Sequence, residues 1–174
     1  DVARIQTAQT QKLAVVTQTT LSVDDAADIA AAVKARFPAV REPKQQDICY
    51  ATQNRQDAVK LMSPQVDIVI VVGSPTSSNS NRLREVARKL GTESYMVDSA
   101  DELLPTWFEG KQRVGLTAGA SAPDILVRQV IERIKALGAV SVRTMQGIEE
   151  TVKFPLPKGL RLDGPNDAVP EHLR

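Results

Sequence analysis

The chain has 174 residues, 42% of them hydrophobic but only 3% aromatic, with 22 basic against 21 acidic side chains and a formal charge of +1. That length fits one domain, or one domain and part of another, with a core built from Val, Ile, Leu and Ala. The dispersed, balanced charge leaves no footprint for nucleic acid. No apolar run is long enough to cross a membrane, no signal-peptide pattern opens the chain, and a single cysteine excludes an internal disulfide and fits a reducing cytoplasm.

In chain order, Leu13-Ala14-Val15-Val16 predicts a short strand running into the polar turn Thr17-Gln18-Thr19-Thr20. Ser22 reads as an N-cap with Asp24 and Asp25 in an acidic first turn, and residues 26–37 as an Ala-rich helix stopped by Pro38. The charged, proline-containing stretch 40–46 predicts a domain boundary near Lys44. A helix over 54–62 then precedes a β-branched strand over 66–72, a Ser-rich loop, and a helix over 80–90 that Gly91 ends. A strand over 94–97, a helical turn over 100–107 and a strand over 113–116 follow. The last helix spans 123–137, with Pro123 at its first position and Gly138 as its stop. Residues 140–143 and 150–154 have strand-like composition, and the Pro-rich tail from about Pro157 reads as extended or disordered. Strands alternating with helices at short intervals predict βαβ units and an α/β fold, a parallel β-sheet flanked by helices. The expected division is part of one domain over 1–44, a complete domain over 45–140, and a C-terminal arm over 141–174.

Three apolar runs end in loops of Ser, Thr, Asn and Gly that lead into helices, and open α/β sheets bind ligands at such loops. The loop Gly73-Ser74-Pro75-Thr76-Ser77-Ser78-Asn79-Ser80-Asn81 would set backbone N–H groups and the hydroxyls of Ser77 and Ser78 at the positive end of a helix, as an anionic oxygen requires. With no Lys or Arg inside it, recognition would rest on neutral donors, each contributing roughly 1.5–3 kcal/mol to a charged partner. The same residues would also serve to cap the helix and shape the turn. Ser121, in Thr117-Ala118-Gly119-Ala120-Ser121-Ala122-Pro123, has the same two readings, and Thr19 and Thr20 alone read as turn residues.

Cys49 has three readings: small core hydrophobe, nucleophile or metal ligand. A nucleophile needs a nearby base and a cluster needs further thiolates, so the residues by themselves favour the core. The only histidine, His172, stands in the Pro-rich tail, so His-dependent chemistry has to come from elsewhere. The chain also opens on Asp1 rather than Met, and it reads as a fragment.

Four segments in this order, Gln18-Thr19-Thr20-Leu21-Ser22, Asp47-Ile48-Cys49-Tyr50-Ala51-Thr52-Gln53-Asn54-Arg55-Gln56, the loop from Gly73 extended to Leu83, and Thr117 to Pro123, closely resemble the 4-hydroxy-3-methylbut-2-enyl diphosphate reductase family. These are iron–sulfur enzymes that end the non-mevalonate route to isoprenoids, and the resemblance runs from about Thr17 to Phe154. It implies that Cys49 is the last of three cysteines holding a [4Fe-4S] cluster. It implies that Ser77, Ser78, Asn79 and Ser121 bind the substrate's diphosphate, and that Thr19 stands beside its hydroxymethyl end in a proton-transfer network.

The implied activity is an oxidoreductase that takes electrons from an external donor protein and removes the hydroxyl as water, giving isopentenyl and dimethylallyl diphosphate. The family's other two cysteines, its histidines near the diphosphate and its proton-delivering glutamate belong to an N-terminal half that this sequence lacks. The expectation is therefore a C-terminal portion, inactive alone, whose open sheet edges allow a homodimer. The alternatives are a stand-alone phosphate-ligand binding module without redox chemistry, and an interaction domain whose Ser-rich loops are only caps.

Overall fold

Ile68–Val72 is an unbroken run of β-branched residues, and every one of its side chains is fully shielded from solvent. The computed structural model, which describes residues 1–43 and 47–148, makes this run the central strand β1. Strands β2 (Glu93–Val97) and β3 (Val114–Ala118) lie parallel to it on either side, in the order β2-β1-β3, with Ile70 opposite both Tyr95 and Leu116. A strand paired on both edges and covered on both faces has no place for a polar side chain, which is why this run reads as continuous rather than alternating.

The two faces of β1 seed two cores. Val69 and Val71 pack with Val59 and Met62 and with Leu83, Val86 and Ala87; these come from the helices Tyr50–Met62 and Ser78–Lys89. Numbered in chain order with the N-terminal helix Val23–Arg36 as α1, those two are α2 and α3, and Asp124–Ala136 is α4. Ile68, Ile70 and Val72 pack on the other face with Val97, Leu103 and with Val130 and Ile134 of α4. Each fully buried aliphatic side chain contributes about 1.5–3 kcal/mol. Tyr95 and Trp107 stack in parallel at the flank of this second core, their ring centroids 4.1 Å apart.

The elements from α2 onward follow the predicted order, and Gly91 and Gly138 end α3 and α4 with φ of 83° and 121°. The helical turn expected over 100–107 is a pair of 3₁₀ turns, Ala100–Glu102 and Pro105–Phe108. Helix α2 starts at Tyr50, earlier than expected, because the chain turns directly from extended Cys49 into helix with no Gly or Pro to delay it. Pro123 is the N-cap of α4 rather than its first residue.

The strand expected at 13–16 reduces to one parallel bridge between Ala14 and Arg41, with Arg41 N–H donating to Leu13 O and Val15 N–H to Arg41 O, both 2.9 Å. The next rung would need an N–H from Pro43, which has none. The strand expected at 140–143 is also not formed: Val140 and Val142 are exposed, so their alternation has no face to bury against. The expected boundary at Lys44, the strand at 150–154, the tail and His172 lie outside the described residues.

Helix α1 is capped as predicted, Ser22 Oγ accepting from Asp25 N–H at 3.2 Å. Its acidic first turn docks on the rest of the chain through Asp24 to Lys60 of α2 and Asp25 to Lys89 of α3, both 2.7 Å. The Lys89 hydrogen bond holds the Asp25 carboxyl below its ordinary range, and Asp25 in turn raises Lys89. Just before β1, Asp67 accepts the backbone N–H groups of Gln112 and Arg113, each at 2.8 Å, tying the start of β3 to the start of β1. Those donors, Arg113 first, hold its carboxyl below the ordinary range. Among the described residues no helix is long and apolar enough to cross a membrane.

Candidate functional site

The chain leaves β1 for α3 on one face of the sheet, and leaves β3 for α4 on the other. Neighbouring strands whose connections diverge open a crevice at their carboxyl ends, the place where open α/β sheets take ligands. The Ser-rich loop after β1 and the Gly-Ala-Ser loop after β3 are the walls of this crevice. Their backbones are held to the sheet by Gly73 N–H on Val97 O and Gly119 N–H on Val72 O, both 2.9 Å.

Ser80, 1% exposed, is wedged between the two walls. A Cβ added at Gly73 would lie 2.1 Å from Ser80 Oγ, and one at Gly119 2.2 Å from the same atom, so a side chain at either position has to displace Ser80 or turn its hydroxyl. The Gly119 position also lies 3.8 Å from Asn79 Nδ2, which sets Asn79 against the second loop. The sequence places Ser80 in this loop but gives it no role of its own. The available signal was a glycine just after each of two predicted strands.

Ser77 is the N-cap of α3, and its Oγ accepts from both the N–H (3.3 Å) and the hydroxyl (3.0 Å) of Ser80. A serine oxygen has two lone pairs and one proton. Both lone pairs are used within the loop, so its proton is what remains for a ligand. The cap reading and the donor reading of Ser77 are therefore compatible. Ser78 is exposed at the first helical position. Asn79 is 6% exposed, and neither its Nδ2 nor its Oδ1 has a hydrogen-bond partner. Burying such an amide without partners costs roughly 1–3 kcal/mol, and an amide left unmet beside a helix N-terminus has the chemistry to meet an anion's oxygens. Asn81 fixes the loop from behind, its Nδ2 donating to Pro75 O at 2.7 Å and Ser77 O at 3.0 Å.

Ser121 is exposed in the turn closed by Ala122 N–H on Gly119 O, and its hydroxyl has no partner among the described residues. Because Pro123 caps α4, the reading of Ser121 as an ordinary N-cap does not hold.

Cys49 corrects the other residue-level expectation: it is exposed at the N-cap of α2, not part of the core. Its N–H donates to Thr19 O at 3.1 Å, so the structure brings Thr19 and Cys49 together. No hydrogen bond joins this pair to Ser77 or Asn79. They share one rim because α2 descends to β1, β1 rises, and α3 starts at its top. Helices α1 and α4 carry carboxylates in their first turns, whereas α2 and α3 carry none, which leaves the positive ends of α2 and α3 without an internal counter-charge.

A [4Fe-4S] cluster needs several thiolates. The donor set offers one accessible thiol, and among the described residues no group of three or more His, Cys, Asp or Glu gathers around a common point. Cys49 therefore fits one corner of such a cluster, and the remaining ligands have no source in the described residues.

The sequence matches the protein family described as LytB protein over residues 1–135. It is 82% identical over 163 residues to the 4-hydroxy-3-methylbut-2-enyl diphosphate reductase of Polaromonas sp. (strain JS666), a match covering 94% of this chain and 49% of that protein. The enzyme of the same name from Methylibium petroleiphilum is 75% identical over 160 residues, covering 92% and 49%. Among solved structures, the E-1-hydroxy-2-methyl-but-2-enyl-4-diphosphate reductase from Plasmodium falciparum superposes with a TM-score of 0.72 at 32% identity, over 75% of this chain and 41% of that one. A second, (E)-4-hydroxy-3-methyl-but-2-enyl diphosphate reductase, described as the terminal enzyme of the non-mevalonate pathway, gives 0.50 at 36% identity, over 71% and 43%. The chain spans about half the length of the curated relatives it matches.

Proposed function

The chain belongs to the LytB family, and from that membership we propose that it is the C-terminal portion of a cytoplasmic 4-hydroxy-3-methylbut-2-enyl diphosphate reductase. In this reading residues 1–44 end one α/β domain, 45–140 form the next, and 141–174 are an arm. The observation that carries it is the buried, unpartnered amide of Asn79 at the N-terminus of α3.

The diphosphate of the substrate lies in the crevice between the loops. Asn79 Nδ2 and the remaining protons of Ser77 and Ser78 donate to its oxygens, and Ser121 donates from the opposite wall. These donors are neutral, so they hold the anion by direction rather than by net charge, with the end of α3 adding its partial positive charge. Fixing that end directs the alcohol carbon toward Cys49. Thr19, linked to Cys49 through the backbone, places its hydroxyl beside the departing oxygen, where it holds or passes a proton.

Cys49 Sγ is one cluster ligand, and two more thiolates come from outside this chain. When bound, the cluster supplies the redox chemistry of the reductive dehydroxylation, with electrons from an external donor protein. One thiol cannot retain it, so this chain alone lacks turnover.

Calorimetry and reconstitution test the proposal in a longer reading frame that includes the N-terminal half. Pyrophosphate should bind, and Asn79→Ala should abolish that binding. Cys49→Ser should cost the iron content and the turnover while leaving pyrophosphate affinity intact. Full cluster and turnover in Cys49→Ser would defeat the ligand assignment and leave a phosphate-binding module. Failure of pyrophosphate to bind at all would defeat the crevice.

A further inference from the structure

We propose that Gln56 is a positioning residue that sets Thr19 against Cys49. The proposal rests on the reading of those two residues given above. Gln56 sits on the second turn of α2 with 0% of its surface exposed, the most deeply buried polar residue described. Its Nε2 donates to Leu21 O at 2.8 Å, and its Oε1 accepts from Val23 N–H at 3.0 Å. One amide thus satisfies two backbone groups of a segment that has no strand or helix of its own between 17 and 22.

These bonds complete a series. Thr17 N–H donates to Asp47 Oδ2 at 2.7 Å, and Thr19 O accepts Cys49 N–H at 3.1 Å. Every second residue from Thr17 to Val23 is therefore anchored to the stretch that opens α2. Of the four anchors, the two from Gln56 come from a fully buried side chain, and leaving its polar atoms unmatched is costly. Thr19 lies between the Asp47 and Gln56 anchors, and its carbonyl is held by the residue whose thiol it is to face. Releasing Gln56 lets the segment swing away from α2 while the loops around α3 stay in place. The loss should fall on the approach of Thr19 to Cys49 and spare the diphosphate crevice.

Two variants test this. Gln56→Met removes both bonds at similar volume. Val23→Pro removes only the N–H that Oε1 accepts, at the first position of α1, where proline is tolerated and Ser22 already has the extended conformation that precedes it. In the chain itself, amide hydrogen exchange at Cys49 should accelerate roughly tenfold in both variants, as loss of a buried hydrogen bond predicts, with amides of β1 unchanged. In the longer protein, kcat should fall between about tenfold and a hundredfold, with KM and pyrophosphate affinity held. Unchanged exchange at Cys49 in either folded variant overturns the proposal, as does equal damage to kcat and pyrophosphate affinity. If Gln56→Met fails to fold, Val23→Pro decides alone. Absence of turnover in the unmutated longer protein refutes the reductase reading instead, and the exchange measurement still decides the role of Gln56.

Discussion

Replacing Gly73 by Ala would put a Cβ 2.1 Å from Ser80 Oγ and 2.7 Å from Ser80 Cβ. Carbon atoms in contact sit about 3.5–4.0 Å apart, so the overlap with Cβ alone is roughly 1 Å. Turning the Ser80 hydroxyl away does not remove that overlap, and Ser80 is 1% exposed with no room to retreat. The first turn of α3 has to lift from the sheet, at an overpacking cost of about 1–3 kcal/mol. Gly119→Ala is milder: its Cβ meets Oγ at 2.2 Å but Ser80 Cβ only at 3.5 Å. A rotamer change there suffices, and it loses the hydroxyl bond to Ser77, worth about 0.5–1.5 kcal/mol. Urea unfolding followed by far-ultraviolet dichroism measures both. In a Ser80→Gly background, itself destabilised by about 1 kcal/mol from helical glycine, the cost of Gly73→Ala should largely vanish. That gives a coupling energy of about 1–2 kcal/mol, within the usual range for touching residues. A Gly73→Ala chain as stable as the parent, or an equal cost with and without Ser80, would refute the wedge.

Asn79→Leu should keep or raise the melting temperature, because it removes an amide whose unmet burial costs roughly 1–3 kcal/mol; a marked drop would mean that the amide has a partner. Asp67→Asn should destabilise at neutral pH. The folded carboxyl titrates below its ordinary value of 3.8, so its contribution is complete above that value and fades as pH falls through the folded one. The gap between the two proteins should therefore close at the acid end of a pH series of melts, and a constant gap would exclude the linkage. Lys89→Ala removes a half-exposed pair with Asp25, so it should lower the melting temperature only slightly. That cost should shrink in 1 M salt, where the screening length is about 3 Å, and a salt-independent loss of stability would point to packing instead.

The sheet was legible because its physics is local. The run at β1 is too uniformly β-branched to be anything but a strand buried on both faces, and Gly91 and Gly138 mark helix ends by a backbone conformation that other residues avoid. The first strand failed for an equally local reason, the missing N–H of Pro43, which sits on the partner segment and not in the run itself. The residues alone favoured a core place for Cys49 because its exposure depends on where α2 begins, and nothing in Asp47-Ile48-Cys49-Tyr50 fixes that start. Ser80 and Gln56 are different. Their roles arise from contacts with Gly119 and Leu21, each more than thirty positions away, and side-chain chemistry alone does not announce such partners. For Gln56 a faint trace existed, a neutral amide at helical spacing between Thr52 and Val59 on the inward side of α2.

The stacked pair of Tyr95 and Trp107 gives the molecule an optical asymmetry. Trp107 is the chain's only indole, and it reports from the side of the sheet covered by α4, leaving the side under α2 and α3 dark. Emission and dichroism recorded on one sample would thus reveal whether the halves of the sandwich melt as a unit or one after the other, with no label attached.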